Sequence, residues 1–560
     1  MKKILLLIFM LSFFLNNQKT YAQERYLDNI FTDVNVESDV VYGENVSIFP
    51  TLLGFAPALE PLKMDIYTPD GDTETNRPAV ILIHTGSFLP PVLNGQATGS
   101  KTDNALVEQC MQFAKKGYVA VAISYRMGWN ATSDSEDVRR RTLIQAALRG
   151  LQDTRTAVRF LRKSVEEGNP YGLSCQIAVG GLGTGGYISM AAATLNDYDT
   201  ELTLPKFIDT SQDIDGDGNL DAVPYIIPEF LGDLNGTSMG VLPVLDVDSD
   251  GVPEGTDVTL CVPNHVGYSS SIDMAFNIGG ALPDSSWINP GEAPIASMHC
   301  YLDEFGPYEI GDIIVPTTNE FVLEAHGSLV VQRICTENGN NAAFEGLDLQ
   351  ITDSWYGNGD GTANSALQVQ AENSFGSPVF DDEGNPVWTF AGHEPYPGLF
   401  PIVAPRGDEM EPSDDCIGCG EALTSCFFPW EQQGAPWDWW NNDVDDPLGY
   451  PQLAVNSPTA PDGITAETFA CLATDDNPDM SEEKGLAYAA MIQEFICPRI
   501  YNALNLDAAA NTCGIGDQKI DRELIYSIDA VGRNINSHNQ EGIIFNIFND
   551  GSVERKYIIK

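Results

Sequence analysis

The chain has 560 residues, more than one hydrophobic core usually organises, so more than one structural unit is expected. Its 29 Lys and Arg stand against 80 Asp and Glu, and the formal charge of -51 repels phosphate backbones and anionic lipid heads, which argues against nucleic acid as a partner. Hydrophobic residues still make up 43% of the chain, so the acidity belongs to a surface and not to a disordered polymer, and calcium is its natural counter-ion.

Met1-Lys2-Lys3, the apolar run Ile4 to Leu15 and the small residue Ala22 read as a secretory signal peptide over residues 1–22, because the apolar run is too short to span a bilayer. No later segment is long and apolar enough for a transmembrane helix, so none is expected in the mature chain. Eleven cysteines in an exported chain point to disulfides, with at least one left over. Cys416, Cys419 and Cys426 cluster, and Cys471, Cys497 and Cys513 follow. A metal site is the other reading of Cys416 and Cys419, but neither a nearby histidine nor a second CxxC completes it.

Leu62 to Pro69 alternates as an early half-buried strand. Pro78–His84 and Tyr118–Tyr125 are continuous apolar runs that suit the buried centre of a parallel sheet. Helical patterns occupy 104–116, Ala146–Leu161 and Tyr187–Leu195, with a further strand at Gln176–Val179. This alternation predicts an α/β fold with a doubly wound, mostly parallel sheet over 23–400. An Asp- and Gly-rich insertion interrupts it at about 196–270, and the sheet is expected to resume at Met274–Leu282 and Ile295–Tyr301. A Cys/Trp-rich extension covers 401–514, and short alternating strands return over 515–560.

Four segments stand in a telling order. His84-Thr85-Gly86-Ser87-Phe88 looks like the oxyanion loop HGGGF, and Asp153 to Leu161 looks like the helix before the nucleophile strand. Gly181-Leu182-Gly183-Thr184-Gly185-Gly186 sits where the nucleophile elbow GxSxGG belongs, and His299-Cys300-Tyr301-Leu302-Asp303 with Pro307-Tyr308 is similar to HGTxDxxxPY. Over roughly 60–195 and 272–310 the chain therefore resembles the carboxylesterase-like branch of the α/β-hydrolases. The resemblance implies Asp303 as the triad acid, a histidine downstream of it as base, and Gly86, Ser87 and Thr184 around the oxyanion. For the base, His393 comes first, His326 second, and His538 lies in another domain. At the nucleophile position Gly183 has no side chain to acylate, so a Ser-His-Asp route cannot run through it. Thr184 is the nearest hydroxyl, one position further on. A nucleotide-binding reading of the glycine run lacks both a matched GxGxxG and a P-loop lysine.

Asp246, Asp248, Asp250, Glu254 and Asp257, with Gly251 between them, reproduce the spacing of a calcium loop, and Asp213, Asp215, Asp217 and Asp221 form a shorter echo. Solvated turns are the plainer alternative. Trp430, Trp437, Trp439 and Trp440 suit either a disulfide-braced lid or a stacking platform for a sugar or polymer. Glu523–Asp529, Gly532-Arg533, Gly542–Phe548 and the Asn549-Asp550-Gly551 turn resemble a type IX secretion sorting domain of type A, a small β-sandwich, which implies export to the surface or beyond and the type IX machinery as a partner. Three function classes follow: a non-catalytic relative that binds a small-molecule ester, glycan or polymer; an ester hydrolase using water or a non-standard nucleophile; and a calcium-stabilised structural surface protein.

Overall fold

The computed structural model describes residues 23–212, 219–243, 256–301, 303, 305–315, 320–347, 351, 355, 367–370, 388–391, 396–402, 434–457, 460, 463–473, 477, 479–507, 524–529, 542–548 and 553–558. The signal peptide, Asp213, Asp215, Asp217, Asp246, Asp248, Asp250, Glu254, His393, Cys416, Cys419, Cys426, Trp430, Cys513 and His538 lie outside the described residues.

In chain order the central elements are β1 (Val34–Ser47), β2 (Ala58–Pro69), β3 (Arg77–Ile83), α1 (Asn104–Lys115), β4 (Val119–Ile123), α2 (Glu136–Glu166), β5 (Leu173–Leu182) and α3 (Thr184–Thr194). The insertion carries β6 (Ile208–Gln212), β7 (Asp221–Pro224), β8 (Gly240–Leu242) and β9 (Val258–Cys261). Then come β10 (Met274–Ile278), β11 (Ile295–Cys300), β12 (Ile310–Ile314), β13 (Phe321–His326), α4 (Ser328–Glu337), β14 (Leu367–Gln370), β15 (Trp388–Ala391), β16 (Leu399–Ile402) and α5 (Glu482–Ala503). An eight-stranded sheet runs in the order β1-β2-β4-β3-β5-β10-β11-β16. β1, β2 and β4 pair antiparallel, and every pair from β4 to β16 is parallel. That is the α/β-hydrolase order, so the doubly wound sheet expected from the strand–helix alternation is present.

The apolar runs become strands because both faces are covered. Ala79, Ile81 and Ile83 of β3, with Val119, Val121 and Ile123 of β4, join one core with Leu148, Leu151 and Ala157 of α2 and Ile188 of α3. The alternate residues Val80, Leu82, Ala120 and Ala122 enter the other core with Leu106 and Phe113 of α1 and Phe495 and Ile496 of α5. Helix starts are written in the sequence. Ser135 caps α2 by accepting the Val138 N–H, Ser481 caps α5 through Lys484 N–H, and each cap is followed by two acidic residues. Helix α2 is longer than the pattern suggested, because its first turns are polar and lie outside the apolar stripe. Helix α5 comes from the Cys/Trp-rich extension and docks on the sheet through Phe495 against Phe400 and on α1 through Gln493, which donates to Gln109.

The Asp-rich runs of the insertion join strand pairs. β6 pairs with β7, Gln212 opposite Asp221, and β8 pairs with β9, beginning one residue after Asp257. Among the described residues no group of three His, Cys, Asp or Glu could hold a metal, and no helix is long and apolar enough to cross a membrane. Cys110, Cys261, Cys300, Cys335 and Cys497 are buried free thiols, which removes Cys497 from the expected disulfide set: it faces the core from α5 and its Sγ donates to Gln493 Oε1. Cys175 and Cys471 are disulfide-bonded. In the tail, β17 (Leu524–Asp529), β18 (Gly542–Phe548) and β19 (Val553–Ile558) form one antiparallel sheet.

The segment after β4 is fixed by one fully buried ion pair. Asp153 of α2 accepts from the Arg126 backbone N–H at 2.7 Å and its guanidinium at 2.9–3.0 Å, both side chains being wholly inaccessible. Removing one partner strands a buried charge, which costs about 3–5 kcal/mol. Asp153→Ala is therefore expected to lose that much in a urea titration, with Arg126→Met/Asp153→Leu recovering most of it; an unchanged midpoint for the single variant would contradict this role.

Candidate active-site cleft

Parallel strands deliver their following loops to one edge of a sheet, where chemistry gathers. Here β3 leads into His84–Leu89, β5 into Gly183, β10 into Gly279 and β11 towards Asp303. Thr85, Ser87, Gly183, Thr184, Gly279 and Asp303 line one cleft. The loops that the sequence singled out separately do converge.

Gly183 forms the strand-to-helix turn at φ 50° and ψ -115°, with its N–H donated to Ile278 O at 2.7 Å. The turn is tight. A Cβ on Gly181 would stand 2.1 Å from the Gly185 carbonyl carbon, and one on Gly185 would stand 2.1 Å from Ile83 O. At Gly183 itself a Cβ would lie 2.4 Å from Thr85 Oγ1. The loop's second residue is glycine in HGGGF and threonine here, so a hydroxyl on the facing loop fills the space that a serine side chain at 183 would take. The residue pattern by itself did not signal this pairing, which depends on the two loops meeting at one edge of the sheet.

The oxyanion loop is shaped by contacts that hold unusual backbone. Gly86, Ser87 and Phe88 have φ of 119°, 51° and 56°, and a Cβ on Gly86 would approach Gly99 Cα to 2.7 Å. Trp129 Nε1 donates to Ser87 O at 2.7 Å and Gly128 N–H to Phe88 O at 2.8 Å. The Ser87 N–H, which should face a developing oxyanion, is donated instead to Thr184 Oγ1 at 2.7 Å. Thr184 thus sits in the oxyanion site as an acceptor.

Asp303 has a side chain 2% exposed, and its Oδ1 accepts the N–H groups of Phe305 at 2.7 Å and Gly306 at 3.2 Å. His299 Nε2 lies 3.3 Å from Asp303 Oδ2 and 3.1 Å from Gly306 O, while its Nδ1 meets Ser328 Oγ at 2.7 Å. His299 therefore positions the acid loop from below. It does not stand in the cleft.

No histidine is among the described residues lining the cleft. His326 ends β13, pairs with Leu282 and meets Ser285 Oγ at 2.7 Å, away from the site. His84 is buried and stacked on Tyr125 at 4.4 Å, and burial pulls its imidazole down to about 4. β16 runs parallel to β11, so the chain leaving its carboxyl edge starts after Ile402, and the sequence has no histidine from 394 to 537. His393 precedes that strand.

Among the described residues after β16, the cleft is lined by members of Gly434 to Trp440, with Leu472, Ala473 and Asn477. Trp437 is 2% exposed, Asp438 is 7% exposed, and Asn477 holds this segment by donating to Asp438 O at 2.8 Å. Gly434 approaches so closely that a Cβ there would lie 3.0 Å from Asp303 Oδ1. Trp439 packs against Gly485 of α5, whereas Trp437 and Trp440 line the cleft. Burial, with Asp103 nearby, pushes the Asp438 carboxyl up to about 8. Composition gave no hint that Asp438 mattered, because one aspartate among eighty acidic residues carries no local signature.

A second, apolar chamber of about 1010 Å³, open mouth included, lies beside the cleft and is walled by Phe88, Trp129, Leu148, Ile188, Trp287 and Leu323. Ser87, Thr184, Tyr187 and Phe305 line both spaces.

The BD-FAE family profile matches residues 64–221. No curated protein matches the chain. Among solved structures, Thermogutta terrifontis esterase 2 phosphorylated by paraoxon is 17% identical, over 49% of this chain and 73% of that one, with a TM-score of 0.27. Its propionate-bound form is 16% identical over 49% and 74%, with a TM-score of 0.26. A truncated carbohydrate esterase from gut microbiota is 14% identical over 56% and 86%, with a TM-score of 0.27.

Two outcomes follow from this geometry. Gly183→Ser meets Thr85, and forcing extra atoms into a packed site costs about 1–3 kcal/mol; it should lower the melting temperature, and Thr85→Gly/Gly183→Ser should recover part of the loss. A single variant as stable as the parent would show that Thr85 does not occupy the space. Asp438, raised above its unfolded value of 3.8, favours the fold fully below that value and progressively less as pH rises towards 8. Asp438→Asn should therefore flatten the decline in melting temperature between pH 5 and 8, and parallel pH profiles would refute the assignment.

Proposed function

We propose that the protein is a binding protein on an α/β-hydrolase fold, which takes an ester-like small molecule into its two joined chambers and forms no acyl-enzyme. The observation that carries this is the Thr85 hydroxyl in the space of the missing nucleophile side chain. Thr184 occupying the Ser87 N–H, and the lack of histidine among the described cleft residues, support the same reading. An acyl transfer needs a nucleophile, a base in hydrogen-bond reach and free oxyanion donors; the nucleophile position and the Ser87 donor differ from that set, and no histidine base is among the described cleft residues. Similarity of residues 64–221 to BD-FAE supports an ester-shaped ligand. The second reading is hydrolysis with Thr85 as nucleophile, favoured by its hydroxyl sharing the cleft with Asp303.

Incubation with a serine-directed aryl phosphonate, followed by intact mass and peptide mapping, separates the two. No adduct is expected, and p-nitrophenyl acetate should turn over no faster than in buffer. A phosphonate adduct on Thr85 or Thr184 would establish the second reading and end the first.

The acidic insertion is proposed to bind calcium at Asp246, Asp248, Asp250, Glu254 and Asp257 and at Asp213, Asp215, Asp217 and Asp221. Strand pairs β6–β7 and β8–β9 support this by closing the two runs. Saturating calcium at about a hundred times its Kd would stabilise by about 2.7 kcal/mol; EGTA should lower the melting temperature, and a scan identical with and without EGTA would dismiss the ion. Export through a signal peptide and a type IX sorting tail is part of the same proposal, on the resemblance of residues 523–560.

A further inference from the structure

The cleft above Gly183 contains an anomaly that the missing nucleophile does not explain. Asp438 is 7% exposed and faces the cleft, yet its carboxyl has no hydrogen-bond or ion-pair partner among the described residues. Its backbone is tied down by Ala435 and Asn477, so the side chain is held in place while its oxygens stay unmatched. Asp303 lines the same cleft. The nearby cations are already committed: Lys484 to Asn477 and Asp479, and Lys101 to Asp65 and Asp39. No lysine, arginine or histidine is among the described residues lining the space. A buried carboxyl without a partner is costly, and a fold that keeps one aimed into a cavity leaves a site for a cation.

The walls decide which kind of cation. Trp437, Trp440 and Phe305 surround the carboxyls, and indole faces attract positive charge, most strongly where water is excluded. No group of three His, Cys, Asp or Glu among the described residues converges closely enough to hold a metal ion. An aromatic wall beside carboxyls suits a larger, weakly hydrated head. Tyr187, whose buried hydroxyl has no hydrogen-bond partner, and Phe305 line both the cleft and the apolar chamber.

We propose that the Asp438–Asp303–Trp437–Trp440 cleft is the head-group site for an organic ammonium ion, whose apolar substituent extends past Tyr187 and Phe305 into the apolar chamber. This rests on the reading that the cavity binds a ligand. The groups facing the head are Asp438, Asp303 and Tyr187, with Asp103 behind Asp438 accepting the Gly99 and Ser100 N–H groups. Cation binding favours ionised Asp438, whose carboxyl is pushed up to about 8 in the free protein, so binding releases a proton and strengthens as pH rises.

The test uses the full chain and tryptophan fluorescence, with benzyltrimethylammonium as a permanently charged probe and neopentylbenzene as its neutral isostere in the same cosolvent. The cation is expected to bind at least tenfold more tightly than the isostere at pH 9, and its affinity to fall at least tenfold by pH 6. Asp438→Asn should abolish the pH dependence and shrink the cation's advantage several-fold while leaving the isostere unaffected. If that variant does not fold, Trp440→Leu must weaken the cation several-fold and spare the isostere. Equal binding of the two probes, or a pH-independent cation affinity, would overturn the head-group site. Failure of both probes to bind would instead count against the ligand-binding reading itself.

Discussion

The space between the β5–α3 turn and the loop after β3 holds one small polar side chain, and the rest of the site depends on which loop supplies it. The turn is closed by glycines at 181 and 185 that pack against backbone, and Ile278 O anchors Gly183 from the neighbouring strand. A Cβ at 183 would meet the Thr85 hydroxyl where it now stands, so one of the two must shift for both to be present. Threonine at 85 fills the volume that glycine at 183 leaves. The elbow therefore keeps its shape without its usual reactive atom.

The groups around Gly183 are held by hydrogen bonds of their own. A hydroxyl at Thr184 takes the Ser87 N–H, because a donor with no oxyanion to meet still needs an acceptor. Asp303 retains the two backbone N–H groups and the His299 contact that hold an acid loop in place, so the scaffold of the site is intact below the cleft. Above it, the chain after β16 brings indoles and a buried aspartate. The described walls of the cleft thus combine two aspartates, one of them without a side-chain partner among the described residues, with aromatic side chains.

This arrangement is carried by a stiff frame. Alternate residues of β3, β4 and β5 divide between two cores, each closed by its own helices, so the carboxyl edge cannot shift without disturbing both. The Arg126–Asp153 pair ties the segment after β4 to α2 beneath that edge. Left-handed backbone at Ser87 and Phe88 persists because Trp129, Gly128 and Thr184 hold it from three sides.

Sequence by itself determined the strand–helix alternation, since period and apolar run length follow from whether one face or two are buried, and the length and β-branched content of Pro78–His84 and Tyr118–Tyr125 suit central strands. It also determined the vacancy at 183, because a glycine has no side chain in any fold. Tertiary structure alone decided that Thr85 fills that vacancy, that His299 braces Asp303 instead of serving as base, that His326 stands apart, and that Asp438 enters the cleft. Those facts depend on which loops share an edge of the sheet. Residues 85, 183, 303 and 438 are distant along the chain, and no local period or spacing encodes their approach.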